Sequence, residues 1–180
     1  MKLIPPEVSP SDGVIALRLR EAKDRAAIIA ASHDPETRRW LDDEPIPSAD
    51  ARLWQDARET WARGERAPFV IADPESDRAL GLVSLRVVAD GTGSVAVSVF
   101  PEVRGQGIAS AALRLIARWA ILEAGFSRVE AEADVANTAS SRAIEKAGFV
   151  YEGILRRHCE TRGIRHDCKM FAIVRDDPTT

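Results

Sequence analysis

Cysteine is scarce in this chain of 180 residues, which carries two, Cys159 and Cys168, both near its end. Two late cysteines cannot form the disulfide framework of a small secreted scaffold. We expect both thiols to be reduced, as in intracellular proteins. The three histidines do not combine with these cysteines in a zinc-ligand spacing, so we expect no metal site.

Long apolar runs and a strong excess of one charge are also missing. The most apolar stretch, 108–126, is interrupted by Arg114, Arg118 and Glu123 at helical spacing, and the N-terminus has no apolar leader. The 25 basic and 28 acidic residues give a formal charge of −3, which argues against a general nucleic-acid binder. We therefore expect a soluble, cytoplasmic protein with no membrane partner and no specific nucleic-acid partner.

The hydrophobic patterning predicts one α+β domain over residues 1–180. Alternating and helical periodicities follow one another in the order β-α-α-β-β-β-α-β-α-β-β. This order predicts a mixed, largely antiparallel sheet of about seven strands flanked by helices. Residues 1–13 are expected to form a loose lead-in, 33–48 a loop with three prolines, and 176–180 a frayed tail.

A loop with two glycines separates an apolar strand from an amphipathic helix in segment 97–110. Gly105 and Gly107 allow the backbone to approach a ligand closely, and the free N–H groups and dipole of a helix start attract an anion. The pattern suits a pyrophosphate held by main-chain amides, although a purely structural turn would look the same. No Gly-Lys-Ser/Thr follows, and the position after an antiparallel meander is wrong for a dinucleotide fingerprint.

Two sequence blocks carry a family pattern, residues 104–109, Arg-Gly-Gln-Gly-Ile-Ala, and residues 137–149, from Asn137 to Glu-Lys-Ala-Gly-Phe. The first resembles the acetyl-CoA pyrophosphate loop of the GCN5-related N-acetyltransferase (GNAT) superfamily, and the second resembles a further block of that superfamily. A third block follows. Residues 152–156 and 163–167 resemble the RimJ/RimL-like branch, which acetylates the N-termini of ribosomal proteins. The blocks lie within 94–172, which is therefore expected to be the acetyl-CoA-binding and catalytic core of a GNAT fold.

The resemblance implies direct transfer of an acetyl group from acetyl-CoA to a primary amine, with no acyl-enzyme. It places the main chain of Val97 and Val99 along the pantetheine arm, and Asn137 both at a helix N-cap and against that arm. The backbone amides implied to hold the pyrophosphate are those of Arg104, Gly105, Gly107, Ala109 and Ser110.

The resemblance gives two catalytic residues, Ser140 as a hydrogen-bond donor to the leaving sulfur and Glu160 as the base. The alignment places Cys159 at the expected position of the base, and a shift of one residue on a strand moves a side chain to the other face. Alternatives for the base are a water chain to solvent or one of the side chains Glu130, Glu132, Asp134 and His158.

The identity of the acceptor amine stays open at this point. The acidic run Asp42-Asp43-Glu44 falls where related proteins have a substrate-side loop, and it would suit a cationic amine or simply be a solvated loop. The acceptor is a protein N-terminal amine or a small amine such as an antibiotic, a polyamine or an amino acid. A non-catalytic acyl-CoA-binding module is the rival interpretation. The apolar strand at 97–99 favours acetyl over larger acyl donors, and the sequence allows a monomer or a homodimer.

Overall fold

The computed structural model describes residues 3–41, 45–46 and 59–177. Its strands are β1 (Ala16–Arg18), β2 (Arg66–Ala72), β3 (Ala79–Ala89), β4 (Thr92–Val99), β5 (Arg128–Asp134), β6 (Val150–Thr161) and β7 (Ile164–Val174). Its helices are α1 (Arg25–Ser32), α2 (Pro35–Trp40), α3 (Ile108–Leu122) and α4 (Thr138–Lys146), and residues 59–63 are helical as well. No helix among the described residues is long and apolar enough to cross a membrane.

The seven strands form one sheet in the order β1-β2-β3-β4-β5-β7-β6. All neighbouring strands are antiparallel except β4 and β5, which run parallel. A parallel pair needs a crossover connection, and α3 provides it. The predicted α+β class with a mixed, largely antiparallel sheet is confirmed.

The parallel pair separates halfway along its length. Residues 92–95 of β4 pair with 128–131 of β5, but no pairing continues from Ala96 on β4 or from Glu132 on β5. Beyond this point β4 stays paired with β3, and β5 stays paired with β7. The middle of the sheet therefore opens towards the C-terminal ends of β4 and β5, where a ligand can reach backbone groups of β4.

The core lies between the sheet and α3. Leu113, Ile116 and Ala120 of α3 are buried. Trp119 of the same helix packs edge-to-face against Phe69 of β2, with ring centroids 5.2 Å apart. This packing, driven by apolar burial, holds α3 against the sheet.

A buried ion pair connects β1 to the beginning of α1. The Arg18 guanidinium donates to both carboxylate oxygens of Asp24 at 2.7 and 2.8 Å, and both residues are buried. Burial alone would raise the pKa of Asp24, but hydrogen bonds from Arg18 and from the Glu21 N–H outweigh it and hold this pKa below its ordinary value.

Helix α2 differs from the sequence prediction, which treated 33–48 as mostly loop. Asp34 is its N-cap and accepts a hydrogen bond from the Thr37 N–H at 2.8 Å, and Pro35 occupies the first helical position. The acidic run 42–44, the start of the helix predicted from Ser48 and residues 178–180 lie outside the described part of the chain.

Candidate active site

A cavity of about 370 Å³, which we call the first cavity, lies where β4 separates from β5. Its walls are the end of β4, the loop after it, the first turns of α3 and α4, and α2. It brings together these residues predicted from the sequence: Val97, Val99, Arg104, Gly105, Gly107, Ala109, Ser110, Asn137 and Ser140. A larger cavity of about 690 Å³, between residues 8–12 and the outer side of α3, contains none of them.

The loop before α3 presents a row of free backbone amides. Gly105 and Gly107 have φ angles of +76° and +83°, which favour glycine. Within the described part of the chain, the N–H groups of residues 105–110 donate no hydrogen bond. Because these amides also lie at the positive end of the α3 dipole, the residues present fit a pyrophosphate.

The side chain of Arg104 turns towards α2. Its Nη2 donates to Asp34 Oδ2 at 2.6 Å and to Thr37 Oγ1 at 2.7 Å, while its Nε donates to the Val99 carbonyl at 3.3 Å. The hydrogen bond from Arg104 lowers the pKa of Asp34 to about 2. The guanidinium therefore ties the glycine loop to the start of α2.

Asn137 and Ser140 begin α4 at the opposite wall. Asn137 Oδ1 accepts the Ser140 N–H at 3.0 Å, which is an N-cap contact that leaves the Asn137 side-chain nitrogen available to a ligand. The Ser140 hydroxyl is half-buried and has no hydrogen-bond partner among the described residues. The single tyrosine of the chain, Tyr151, packs on Phe171 instead, so it does not line this cavity.

Glu160, the predicted base, does not line the cavity. It lies near the end of β6 opposite Arg165, whose Nε is 3.2 Å from its carboxylate. Glu132 lies on β5 just beyond the point where β4 and β5 separate, and its Oε1 is 3.5 Å from His158 Nε2. Asp134, two residues further along β5, has its Oδ2 atom 3.6 Å from His166 Nδ1. Glu130 instead forms an ion pair with Arg128, with Nε and Oε1 2.8 Å apart.

The two cysteines are joined in a disulfide, contrary to the expectation of reduced thiols. Cys159 on β6 and Cys168 on β7 have Cα atoms 5.9 Å apart. The carboxylate of Glu132 and both sulfurs lie within 4.8 Å of one another, but the disulfide withdraws both sulfurs from metal binding. The two cysteines share one face of the sheet, because Cys159 is opposite His166, two residues before Cys168.

A second cavity, of about 420 Å³, lies beside the same part of β4. It reaches Pro68 of β2, Ser84 of β3 and Ala96 of β4, and it shares Val97, Ser98 and Leu41 with the first cavity. Two ligands in these cavities would therefore meet at the end of β4.

Sequence reasoning missed the wall that α2 provides. Glu36, Thr37, Trp40 and Leu41 all line the first cavity, and Trp40 Nε1 donates to Glu36 Oε1 at 2.7 Å. The signal was present in Asp34-Pro35-Glu36, a helix-start pattern of N-cap, proline and acid. Two further prolines, Pro45 and Pro47, obscured it.

Comparison with known proteins agrees with this geometry. Residues 15–150 match the acetyltransferase (GNAT) domain family. The chain is 32% identical over 123 residues to the probable N-acetyltransferase YjcK of Bacillus subtilis, covering 67% of this chain and 68% of that protein.

Two solved structures show the same fold. One is the ribosomal-protein-S5-alanine acetyltransferase of Vibrio fischeri, with a TM-score of 0.79, 20% identity and coverage of 95% and 98% of the two chains. The other is RimL, a ribosomal L7/L12 alpha-N-protein acetyltransferase in complex with coenzyme A, with a TM-score of 0.81, 18% identity and coverage of 95% and 100%. The family match over most of the chain establishes that this protein belongs to the GNAT family and is an N-acetyltransferase.

Proposed function

We propose that this protein binds acetyl-CoA in the first cavity and transfers its acetyl group directly to a primary amine. The observation that carries the proposal is the run of free N–H groups at residues 105–110, placed at the start of α3. Such amides hold a pyrophosphate without needing a basic side chain. Coenzyme A bound to the structurally similar RimL supports the same choice.

In this proposal, three parts of the cofactor occupy three parts of the cavity. The amides of the glycine loop and of the first α3 turn bind the pyrophosphate, and the backbone of Val97 and Val99 follows the pantetheine arm towards Asn137. The thioester then lies where β4 leaves β5, next to Ser140. The free Ser140 hydroxyl donates a hydrogen bond to the sulfur as the C–S bond breaks.

The acceptor amine occupies the second cavity, which shares the end of β4 with the first. Its nitrogen must be neutral to attack the thioester carbonyl, so a base has to remove one proton. Glu160 stays the base implied by the family resemblance. Glu132 with His158 is the alternative, because it lies at the separation of β4 and β5.

The preferred acceptor is the N-terminal amine of a protein, as the RimJ/RimL-like blocks suggest. Two proteins of the same fold are named as ribosomal-protein acetyltransferases, which supports this choice over a small amine.

Thermal unfolding with and without acetyl-CoA tests the cofactor. A ligand at 100 times its dissociation constant adds about 2.7 kcal/mol to the free energy of unfolding. We expect acetyl-CoA and CoA to raise the unfolding temperature and NADH and ATP to leave it unchanged. No shift at millimolar acetyl-CoA would refute the proposal.

Turnover is then measured with a panel of peptides and small amines. Ser140→Ala is expected to lower kcat about 100-fold, because the leaving sulfur loses its donor, while the affinity for CoA stays close to that of the wild type. A clear thermal shift without turnover of any amine would instead support the acyl-CoA-binding module.

A further inference from the structure

Arginines gather at the outer end of the second cavity. Arg66 on β2 lines it and also lines a neighbouring depression of about 440 Å³, together with Arg63 and Arg86. Arg66 and Arg86 are directly opposed in the β2–β3 pairing, so their side chains leave the sheet on the same face. That face also carries Ser84, which lines the second cavity.

These two arginines lack an acidic partner in the described part of the chain. Arg86 has no side-chain hydrogen bond or ion pair there, and Arg66 donates only to the neutral Ser84 hydroxyl, at 3.0 and 3.2 Å. Glu65 lines the depression but pairs with neither of them. Like charges at directly opposed positions destabilise a sheet, so an anionic ligand at this place would relieve their repulsion.

The register of the sheet gives the distance from the reaction centre. Ser98, at the shared end of the two cavities, is opposite Leu82, and Arg86 lies four residues further along β3. Four strand residues span about 13 Å. The carboxylate of a free amino acid is only two bonds from its Cα-bound amine, far too near to bridge this distance.

An extended peptide covers the same distance in about four residues. Building on the proposed function, we propose that Arg66 and Arg86 select peptide acceptors that carry a carboxylate about four residues from the N-terminal amine. The reacting amine lies at the end of β4, and the chain runs outward along β3 to the two guanidinium groups. This carboxylate adds affinity for the acceptor and takes no part in the chemical step.

The experiment measures acetyl transfer to a set of otherwise identical peptides with Ser-Ala N-termini. One group carries a single Glu at each of positions 3 to 6, and matched groups carry Gln or Lys at the same positions. We expect kcat/KM to be about 3- to 10-fold higher for Glu than for Gln, with the largest ratio near position 4 and the Lys peptides slowest.

Three variants connect the preference to the arginines. Arg86→Gln and Arg66→Gln should each lower the Glu-to-Gln ratio, and Arg86→Glu should shift the preference towards Lys. Arg118→Gln is the matched control, since it removes an exposed arginine on α3 that lines neither the first nor the second cavity. Retained thermal stabilisation by acetyl-CoA shows that each variant is folded.

The outcomes separate the two proposals. Equal kcat/KM for Glu, Gln and Lys peptides, or a preference unchanged in all three variants, would overturn the role of the arginines and leave the acetyltransferase proposal standing. Turnover of small amines but of no peptide would overturn the peptide acceptor. Absence of any effect of acetyl-CoA on thermal unfolding would overturn the proposed function itself.

Discussion

Gly107→Ala tests the backbone origin of cofactor binding. Gly107 is the N-cap of α3 and has a φ of +83° and a ψ of 0°. A Cβ atom at this position would lie 4.0 Å from Ser110 Oγ, its nearest neighbour, so the methyl group has room. The cost of the substitution is therefore conformational and not steric.

This geometry determines the size of two effects, a loss of stability and a loss of affinity for CoA. An L-residue in the left-handed region costs about 1–2 kcal/mol, which should lower the unfolding temperature by roughly 2–8 °C. We expect the loop to relieve this strain by rotating, which turns the N–H groups of residues 107–110 away from the pyrophosphate. Loss of one hydrogen bond to a charged group then weakens binding about 10- to 100-fold. Calorimetric titration with CoA measures this affinity without turnover.

Gly13→Ala provides a matched control. Gly13 has the same φ of +83°, and no atom lies within 4 Å of the position that the new Cβ would take. It belongs to the N-terminal segment and does not line the first cavity. This variant should lose similar stability and bind CoA like the wild type. Equal CoA affinity for both variants would refute the argument that the amides of the glycine loop hold the cofactor.

Three further predictions address the surrounding framework. Asp24→Ala removes one of the two carboxylate partners of the buried Arg18, which keeps its ion pair with Asp77, and should lower the free energy of unfolding by about 1–3 kcal/mol, measured by urea denaturation. Gly81→Ala places a Cβ atom 2.5 Å from a backbone oxygen of β4, so kcat/KM should fall as β4 shifts, and unchanged activity would contradict the position of the site. The pKa of Asp34 is lowered to about 2 in the folded protein, so its ion pair with Arg104 stabilises the fold above about pH 5 and this contribution disappears as the pH falls towards 2. Acid titration followed by tryptophan fluorescence should show this loss in the wild type, and Asp34→Asn should remove that part of the pH dependence.

The conformation of the glycine loop and the start of α4 could be predicted because their signals are local. Glycines at positive φ, a following amphipathic helix and an N-cap asparagine act through the backbone within a few residues of the chain. The structure accordingly places Gly105, Gly107 and Asn137 around one cavity. The seven strands were predictable for a similar reason, since alternation along each strand reports which face is buried.

The position of Glu160 shows what such patterns cannot supply. Its side chain depends on the register of β6 against β7, and that register shifts twice, once between Tyr151 and Gly153 and again between Leu155 and Cys159. Each shift changes which residues face the neighbouring strand, and no local pattern in 150–161 marks where it occurs. Sequence alignment therefore cannot fix which residue of β6 faces the cavity, and the assignment of Glu160 as the base stays a prediction.

The wall formed by α2 depends on contacts between distant parts of the chain. Arg104 reaches Asp34 and Thr37 across about 70 sequence positions, so neither segment alone reveals that they form one site. Under the proposed function the amides of the glycine loop hold the pyrophosphate, while the Arg104 side chain contacts α2. Since Leu41, directly after α2, lines both cavities, this ion pair connects the glycine loop to the cavity that we propose for the acceptor. A pyrophosphate near the loop would compete with Asp34 for the same guanidinium, and for this reason cofactor binding should alter the acceptor side of the site through α2.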